Sequence, residues 1–258
     1  MKRNISVEMN ISGHLPDITY DYVQYKQPKK FYGRSFKIKN FKSQIIDKRN
    51  FCDKKRKILV EVLKDQNKNY QHIKFDLSKI ESEYEKLSNL IKQKPIYGLI
   101  SNAGTGKLDS LENFSPKQIS EFISLNLHSH IIITRLLLPY FKTNNNGFLI
   151  YVGSEASYKV GKYGSIYSAC KFGLRGFVKS IRIETSLNNI KVTQINPGIV
   201  KTPFYNNLKI SPGTKYDEFI EPNDIANIVI EVLKMRSGSV IDEINLTSQK
   251  RVINFKSK

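Results

Sequence analysis

Phe148-Leu149-Ile150-Tyr151-Val152-Gly153-Ser154 is followed, after twelve intervening residues, by Tyr167-Ser168-Ala169-Cys170-Lys171. The unbroken apolar run at 148–152 predicts a strand buried on both faces, and such strands belong to parallel sheets. Residues 166–187 then carry a helical period. Tyr167 and Lys171 stand four apart on that helix, so they share one face. Ser154 leaves the end of the strand, where open α/β sheets bind their ligands.

The same alternation continues outward. Downstream, a strand is expected at 190–195, a capped helix at 222–235 and a last strand at 240–246. Upstream, Asn144-Asn145-Asn146-Gly147 is a turn. Ser115-Pro116 opens a long helix through the apolar stretch 125–138, with Ser at the cap and Pro at the first position. Pro95 precedes a strand at 96–101, which runs into Asn102-Ala103-Gly104. Ser78 is read as the cap of an earlier helix, with Glu81 closing a capping box. A strand at 72–75 ends at Asp76, a helix covers 53–66, and a short β-like run sits at 43–46. Strands alternating with helices predict a doubly wound parallel sheet, Rossmann-like, in a single domain over residues 1–258.

Composition agrees. The chain has 258 residues, 40% hydrophobic and 25% charged, which excludes a disordered chain, a collagen-like repeat and a disulfide scaffold. No run approaches the roughly 18 apolar residues of a membrane span. Met1-Lys2-Arg3-Asn4 has no apolar segment behind it, so no secretory leader is expected. Cys52 and Cys170 match neither a zinc spacing nor a redox pair and read as reduced thiols; no metal site is expected. The expected location is cytoplasmic. The net charge of +19 is uneven, because residues 1–57 hold 15 Lys/Arg against 5 Asp/Glu. A basic tilt that helps hold a phosphorylated cofactor accounts for it; nucleic acid is not the expected partner.

The chemistry gathers in the second half. A free tyrosine titrates near 10, too high for a base at neutral pH. A lysine ammonium one turn away favours the phenolate and is expected to lower that value. Tyr167 then becomes a general acid or base, and the Ser154 hydroxyl can hold a substrate oxygen. Such a set delivers a proton to a carbonyl oxygen while hydride reaches the carbon, and hydride requires a cofactor. Asn126 stands inside the long helix among apolar neighbours. Asn102-Ala103-Gly104, Asn126, Ser154, Tyr167, Lys171 and Asn196-Pro197-Gly198 occur in one order, each at an element end or on the expected face.

In these residues the chain resembles the short-chain dehydrogenase/reductase family in its single-domain form, over about residues 43–246. The resemblance implies seven strands and an Asn-Ser-Tyr-Lys tetrad at Asn126, Ser154, Tyr167 and Lys171. It implies that Tyr167 is the acid/base, that Ser154 orients the carbonyl, and that Lys171 binds the nicotinamide ribose. Asn126 holds a water linking Lys171 to solvent. Asn102, Ala103 and Gly104 match the turn after the fourth strand. Pro197, Gly198 and Thr202 match the segment that touches the nicotinamide carboxamide. Asp76 matches the residue that holds the adenine amino group, with a helix-capping turn as its plainer reading. The resemblance also implies a homodimer or homotetramer built on helices at 116–141 and 165–186, and a mobile substrate loop at 203–221.

The N-terminal third departs from that pattern. A pyrophosphate loop needs glycines so that backbone can approach phosphate and then start a helix. The best match is Ser12-Gly13-His14-Leu15-Pro16-Asp17-Ile18-Thr19, where Gly13 is kept and Asp17 and Thr19 replace the later glycines. Asp17 would face phosphate with like charge, and Pro16 lacks an N–H. Three accounts stay open: an altered loop, a relative that has lost cofactor binding, or a reading frame shifted over residues 10–42. For the cofactor, Asp47 favours NAD(H), whereas Lys48 and Arg49 favour the 2′-phosphate of NADP(H), which an arginine grips bidentately. NADP(H) is the expectation, with Arg49 on the phosphate and NAD(H) as the second choice. The substrate is expected to be a small carbonyl or alcohol.

Overall fold

The computed structural model describes residues 75–92 and 96–256. The expected strands at 43–46 and 72–75 and the helix at 53–66 lie wholly or largely outside them, as do Gly13 and Arg49.

The described part begins with a correction. Asp76, not Ser78, is the cap: its Oδ1 accepts from the Ser78 amide at 3.1 Å and from the Ser78 hydroxyl at 2.6 Å. A carboxylate two residues back reaches that amide, so the chain enters through a 3-10 turn, Leu77–Lys79. Helix α1, Ile80–Lys92, follows, burying Ile80, Leu87 and Ile91. Strand β1 is Gly98–Ser101. Ser115 caps helix α2, Pro116–Ile123, in a reciprocal box with Gln118, as the Ser-Pro pair predicts. The expected single long helix is interrupted by a π turn, Ser124–His128, before α3, Ser129–Thr143.

Strand β2, Gly147–Val152, leads through a 3-10 turn, Glu155–Ser157, to α4, Ser165–Glu184. Strand β3 is Ile190–Pro197, longer than the expected 190–195. Then come β4, Ile210–Pro212, α5, Pro222–Lys234, β5, Glu243–Leu246, and β6, Ile253–Phe255.

Four strands form one parallel sheet in the order β1-β2-β3-β5. The register places Leu99 beside Leu149, Leu149 beside Val192, and Ile195 beside Ile244. Alternation within β2 divides the core. Leu149 and Tyr151 face one layer with Leu137, Phe141, Leu174 and Val178 from α3 and α4. Ile150 faces the other layer, with Ile195, Val229 and Val232. The sheet is therefore covered by helices on both faces, as a doubly wound sheet requires. A second sheet, antiparallel β4–β6, has no counterpart in the sequence expectation. No described helix is long and apolar enough to cross a membrane.

Candidate active site

Because the four strands run parallel, their carboxyl ends share one edge of the sheet. Beyond β1 lies Asn102-Ala103-Gly104, beyond β2 lies Gly153-Ser154, and beyond β3 lies Gly198. Helix α4 carries Tyr167 and Lys171 past that edge.

Lys171 is buried, 4% exposed. Its Nζ donates to the Val152 carbonyl at 3.4 Å and lies 5.7 Å from the Tyr167 ring centre. A Cβ on Gly104 would stand 3.0 Å from the Asn126 Oδ1 and 3.7 Å from that Nζ, so a glycine keeps the chain this close. Asn126 is fully buried in the π turn. Its Oδ1 accepts the Thr105 amide at 3.1 Å and its Nδ2 donates to the Phe122 carbonyl at 3.0 Å. The interruption of the helix thus holds a polar side chain against the turn after β1.

Ser154 Oγ accepts from the Ala156 amide at 3.1 Å, which fixes the hydroxyl at the strand end. The Tyr167 ring packs edge-on to Phe122, with centres 6.4 Å apart, and under Phe204 at 6.2 Å. The structure therefore brings Tyr167, Lys171, Asn126 and Gly104 together and sets Ser154 beside Tyr167.

One electrostatic expectation is corrected. Lys171 does not hold the Tyr167 phenol low. Burial pushes the phenol up to about 12, and the hydrogen bond with Ser154 only partly opposes that. Burial in turn brings the Lys171 amine down to about 8. The spacing shows the pair, but desolvation is the leading cause of both shifts. The Tyr167 phenol is therefore neutral at neutral pH.

Pro197 ends β3, and the Gly198 amide donates to the Leu246 carbonyl at 2.8 Å. Thr202 caps the 3-10 turn Pro203–Tyr205, accepting from the Phe204 amide at 3.4 Å. Asp76 uses Oδ1 for its cap, while Oδ2 has a 3.9 Å approach to Lys79. A small cavity near its turn is lined by Leu77, Asn102, Ala103, His130 and Ile133.

Sequence reasoning missed His130 and the network beneath Ser154. His130 is fully buried. Its Nδ1 meets the Ser101 hydroxyl at 2.6 Å and its Nε2 meets the Ala103 carbonyl at 3.0 Å. A carbonyl can only accept, so Nε2 carries the proton and Ser101 donates to Nδ1. Burial, with the nearby Lys171 charge, takes His130 down to about 3, which keeps it neutral. Under Gly153, Gln194 Nε2 donates to Asn196 Oδ1 at 2.8 Å, and Asn196 Nδ2 donates to Glu243 Oε1 at 2.7 Å and to Asn245 Oδ1 at 3.0 Å. The available signal was the polar run Thr193-Gln194 with Asn196 in a strand that is buried along nearly all of its length.

The donor set fits the nicotinamide end of a dinucleotide. A buried ammonium has one long carbonyl contact, and the nearby Thr105 hydroxyl is buried without a partner. Both suit a hydroxyl-rich group placed beside Gly104. Among the described residues no cluster could hold a metal ion.

The pattern described as short chain dehydrogenase matches residues 44–212. The sepiapterin reductase of Chlorobaculum tepidum is 29% identical over 152 residues, 57% of this chain and 59% of that one. The chain thus spans less than two thirds of that relative. The 3-oxoacyl-[acyl-carrier-protein] reductase of Buchnera aphidicola subsp. Acyrthosiphon pisum is 31% identical over 172 residues, 64% of this chain and 70% of the relative. Among solved structures, an alcohol dehydrogenase from the archaeon Thermococcus sibiricus, complexed with 5-hydroxy-NADP, superposes with a TM-score of 0.67 at 26% identity. That match covers 78% of this chain and 84% of the other. With a family pattern over most of its length and the tetrad residues gathered at one sheet edge, the chain belongs to the short chain dehydrogenase family.

Proposed function

We propose that the chain is an NADP(H)-dependent oxidoreductase that interconverts a carbonyl and an alcohol, with Tyr167 as the acid/base. The observation that carries this reading is the Lys171 amine, buried beside Tyr167 and Gly104 with a single 3.4 Å carbonyl contact. An under-partnered buried cation is costly to the fold and marks a place where a ligand completes the bonding.

When bound, the dinucleotide supplies hydride to the carbonyl carbon. Tyr167 gives its phenol proton to the carbonyl oxygen, and the Ser154 hydroxyl donates to the same oxygen and orients it. Lys171 holds the ribose hydroxyls and steadies the phenolate that remains. Asn126 sets the Gly104-Thr105 turn against Lys171 and holds the water that returns a proton. Asn102, Ala103, Pro197, Gly198 and Thr202 would line the cofactor and Asp76 would meet the adenine amine, while Gly13 and Arg49, outside the described residues, are assigned to the phosphates from sequence alone. The 5-hydroxy-NADP complex of the Thermococcus sibiricus enzyme supports the choice of cofactor; NAD(H) is the second choice. The reading includes one domain over residues 1–258, a cytoplasmic location and a homodimer or homotetramer.

Tyr167→Phe tests it. The variant should lose about 10²–10⁴-fold in NADPH-dependent carbonyl reduction while keeping its fold. Full activity would remove Tyr167 from the role. Arg49→Ala should weaken NADPH more than NADH. A second reading, a binding protein that has lost catalysis, is favoured by Asp17 and Thr19 in place of glycines. Calorimetric titration separates them: sub-millimolar binding of NADP(H) supports the enzyme, and silence with both dinucleotides supports the binding protein.

A further inference from the structure

We propose that residues 250–256 are a strap that positions the substrate loop, with Lys256 as its latch, so that Phe204 stays over Tyr167. The inference rests on the reading of Tyr167 as the acid and extends it to the residues that shape the pocket above it.

Strand β6 makes poor core. Ile253 is 49% exposed and Phe255 is 81% exposed. Its interactions are with the loop's main chain instead. It pairs antiparallel with β4, Phe255 opposite Ile210 and Ile253 opposite Pro212. Asn254 Nδ2 donates to the Pro212 carbonyl at 3.2 Å, and the Lys256 amide donates to the Lys209 carbonyl at 2.9 Å. The Lys256 ammonium donates to the carbonyls of Tyr205 and Asn206, the latter at 3.0 Å. These carbonyls close the 3-10 turn Pro203–Tyr205, where the Tyr205 carbonyl also accepts the Leu208 amide at 3.2 Å, and the ammonium adds a charged donor to them.

The start of the strap is stapled too. Lys250 pairs with Asp217 at 2.8 Å, and its amide donates to the Asp217 carbonyl at 2.8 Å. Arg251 approaches Glu155, the residue after Ser154, at 3.9 Å. One short segment therefore ties both ends of the loop to the Ser154 side of the site.

The loop's cargo is Phe204. A Cβ on Gly106 would lie 2.5 Å from the Phe204 ring and 3.2 Å from Leu208, so both side chains fill the space above Gly106. The same ring lies 6.2 Å from Tyr167. Its place depends on the turn whose last carbonyls Lys256 holds. Releasing the latch should free Phe204 and widen the pocket, leaving the Tyr167–Lys171 chemistry intact.

The test compares the full chain with Lys256→Met, Lys256→Arg and a chain ending at Gln249. Hydrogen exchange at the Asn206 and Leu208 amides, which bond within the turn, should speed up about tenfold in Lys256→Met, the scale for losing a hydrogen bond to a charged group. It should speed up further in the shortened chain and return toward normal in Lys256→Arg, while exchange in β3 stays unchanged. Steady-state assays with NADPH and carbonyls of increasing size should show KM rising several-fold for small substrates, kcat changing less than about twofold, and preference moving toward bulkier ones. Unchanged exchange at both amides in Lys256→Met and in the shortened chain overturns the strap. If exchange responds but the full chain reduces no carbonyl, the strap stands and the oxidoreductase reading fails.

Discussion

The Lys171 Nζ donates to the Val152 carbonyl at 3.4 Å, deep beside the Tyr167 ring, and no carboxylate among the described residues pairs with it. A buried cation held so sparely burdens the fold, and that burden can be measured.

Burial lowers Lys171 from 10.5 to about 8 in the native chain. Below that value the native and unfolded forms are both charged, and the fold bears the full cost, on the order of 3 kcal/mol. Between pH 8 and 10.5 the unfolded chain binds a proton that the native chain does not, so this contribution to stability grows with pH across that window. Lys171→Met should therefore be inactive yet more stable at pH 7, by about 1–3 kcal/mol. The gain should shrink toward pH 10.5. Urea midpoints at pH 7 and pH 10 check this, and a variant less stable than the parent at pH 7 contradicts it.

Activity should follow the same group in the opposite sense. On the proposed reading, carbonyl reduction needs a charged Lys171 and a protonated Tyr167, with values of about 8 and about 12. The profile of kcat/KM, which reports the free enzyme, should be level below pH 8 and fall above it, nearly tenfold per unit at first. A profile level to pH 10 would show that the Lys171 charge is not required.

The helix faces bear on assembly. Ile123 on α2 and Phe172 and Ile183 on α4 are 38%, 41% and 75% exposed, and Leu187 just beyond α4 is 94% exposed. Large apolar groups left open along two helices suit a face shared between copies. The paired change Ile183→Asp with Leu187→Asp should turn the proposed homodimer or homotetramer into smaller species. Light scattering on eluting protein reads the mass directly. A parent chain that is monomeric at micromolar concentration removes the proposal.

What could be read from the sequence follows from which physics is local. Tyr167 and Lys171 could be set on one face because a helix has a fixed period, and Ser115-Pro116 could be read as a start because capping is a short-range bond. The π turn at Asn126 could not, since the following run at 131–138 is apolar at nearly every position and hides the change of phase that one extra residue makes. Strands β4 and β6 were hidden for another reason. Each has three residues, 40 residues separate them, and pairing of main chains needs no alternation of side chains. Asp76 offered both a cap and a ligand role, and only the geometry shows the cap made. The value for Tyr167 reversed because burial has no signature in a four-residue spacing.

His130 supplies a last expectation, again through its protons. It joins the Ser101 hydroxyl to the Ala103 carbonyl and so fixes the turn that leads into Gly104. Its native value, about 3, lies below the ordinary 6.5, with burial as the main cause and the Lys171 charge second. The stability this gives is present above pH 6.5 and is lost as pH falls toward 3, because the unfolded chain takes up the proton first. His130→Phe leaves Ser101 and Ala103 without their partner and should cost about 2–4 kcal/mol at pH 7. It also removes the acid-sensitive group, so stability should decline less steeply from pH 6.5 to pH 4 in the variant than in the parent. The gap between them narrows on acidification. Urea unfolding at three pH values across that range gives both slopes; parallel slopes would mean that His130 does not sense the proton in the native chain.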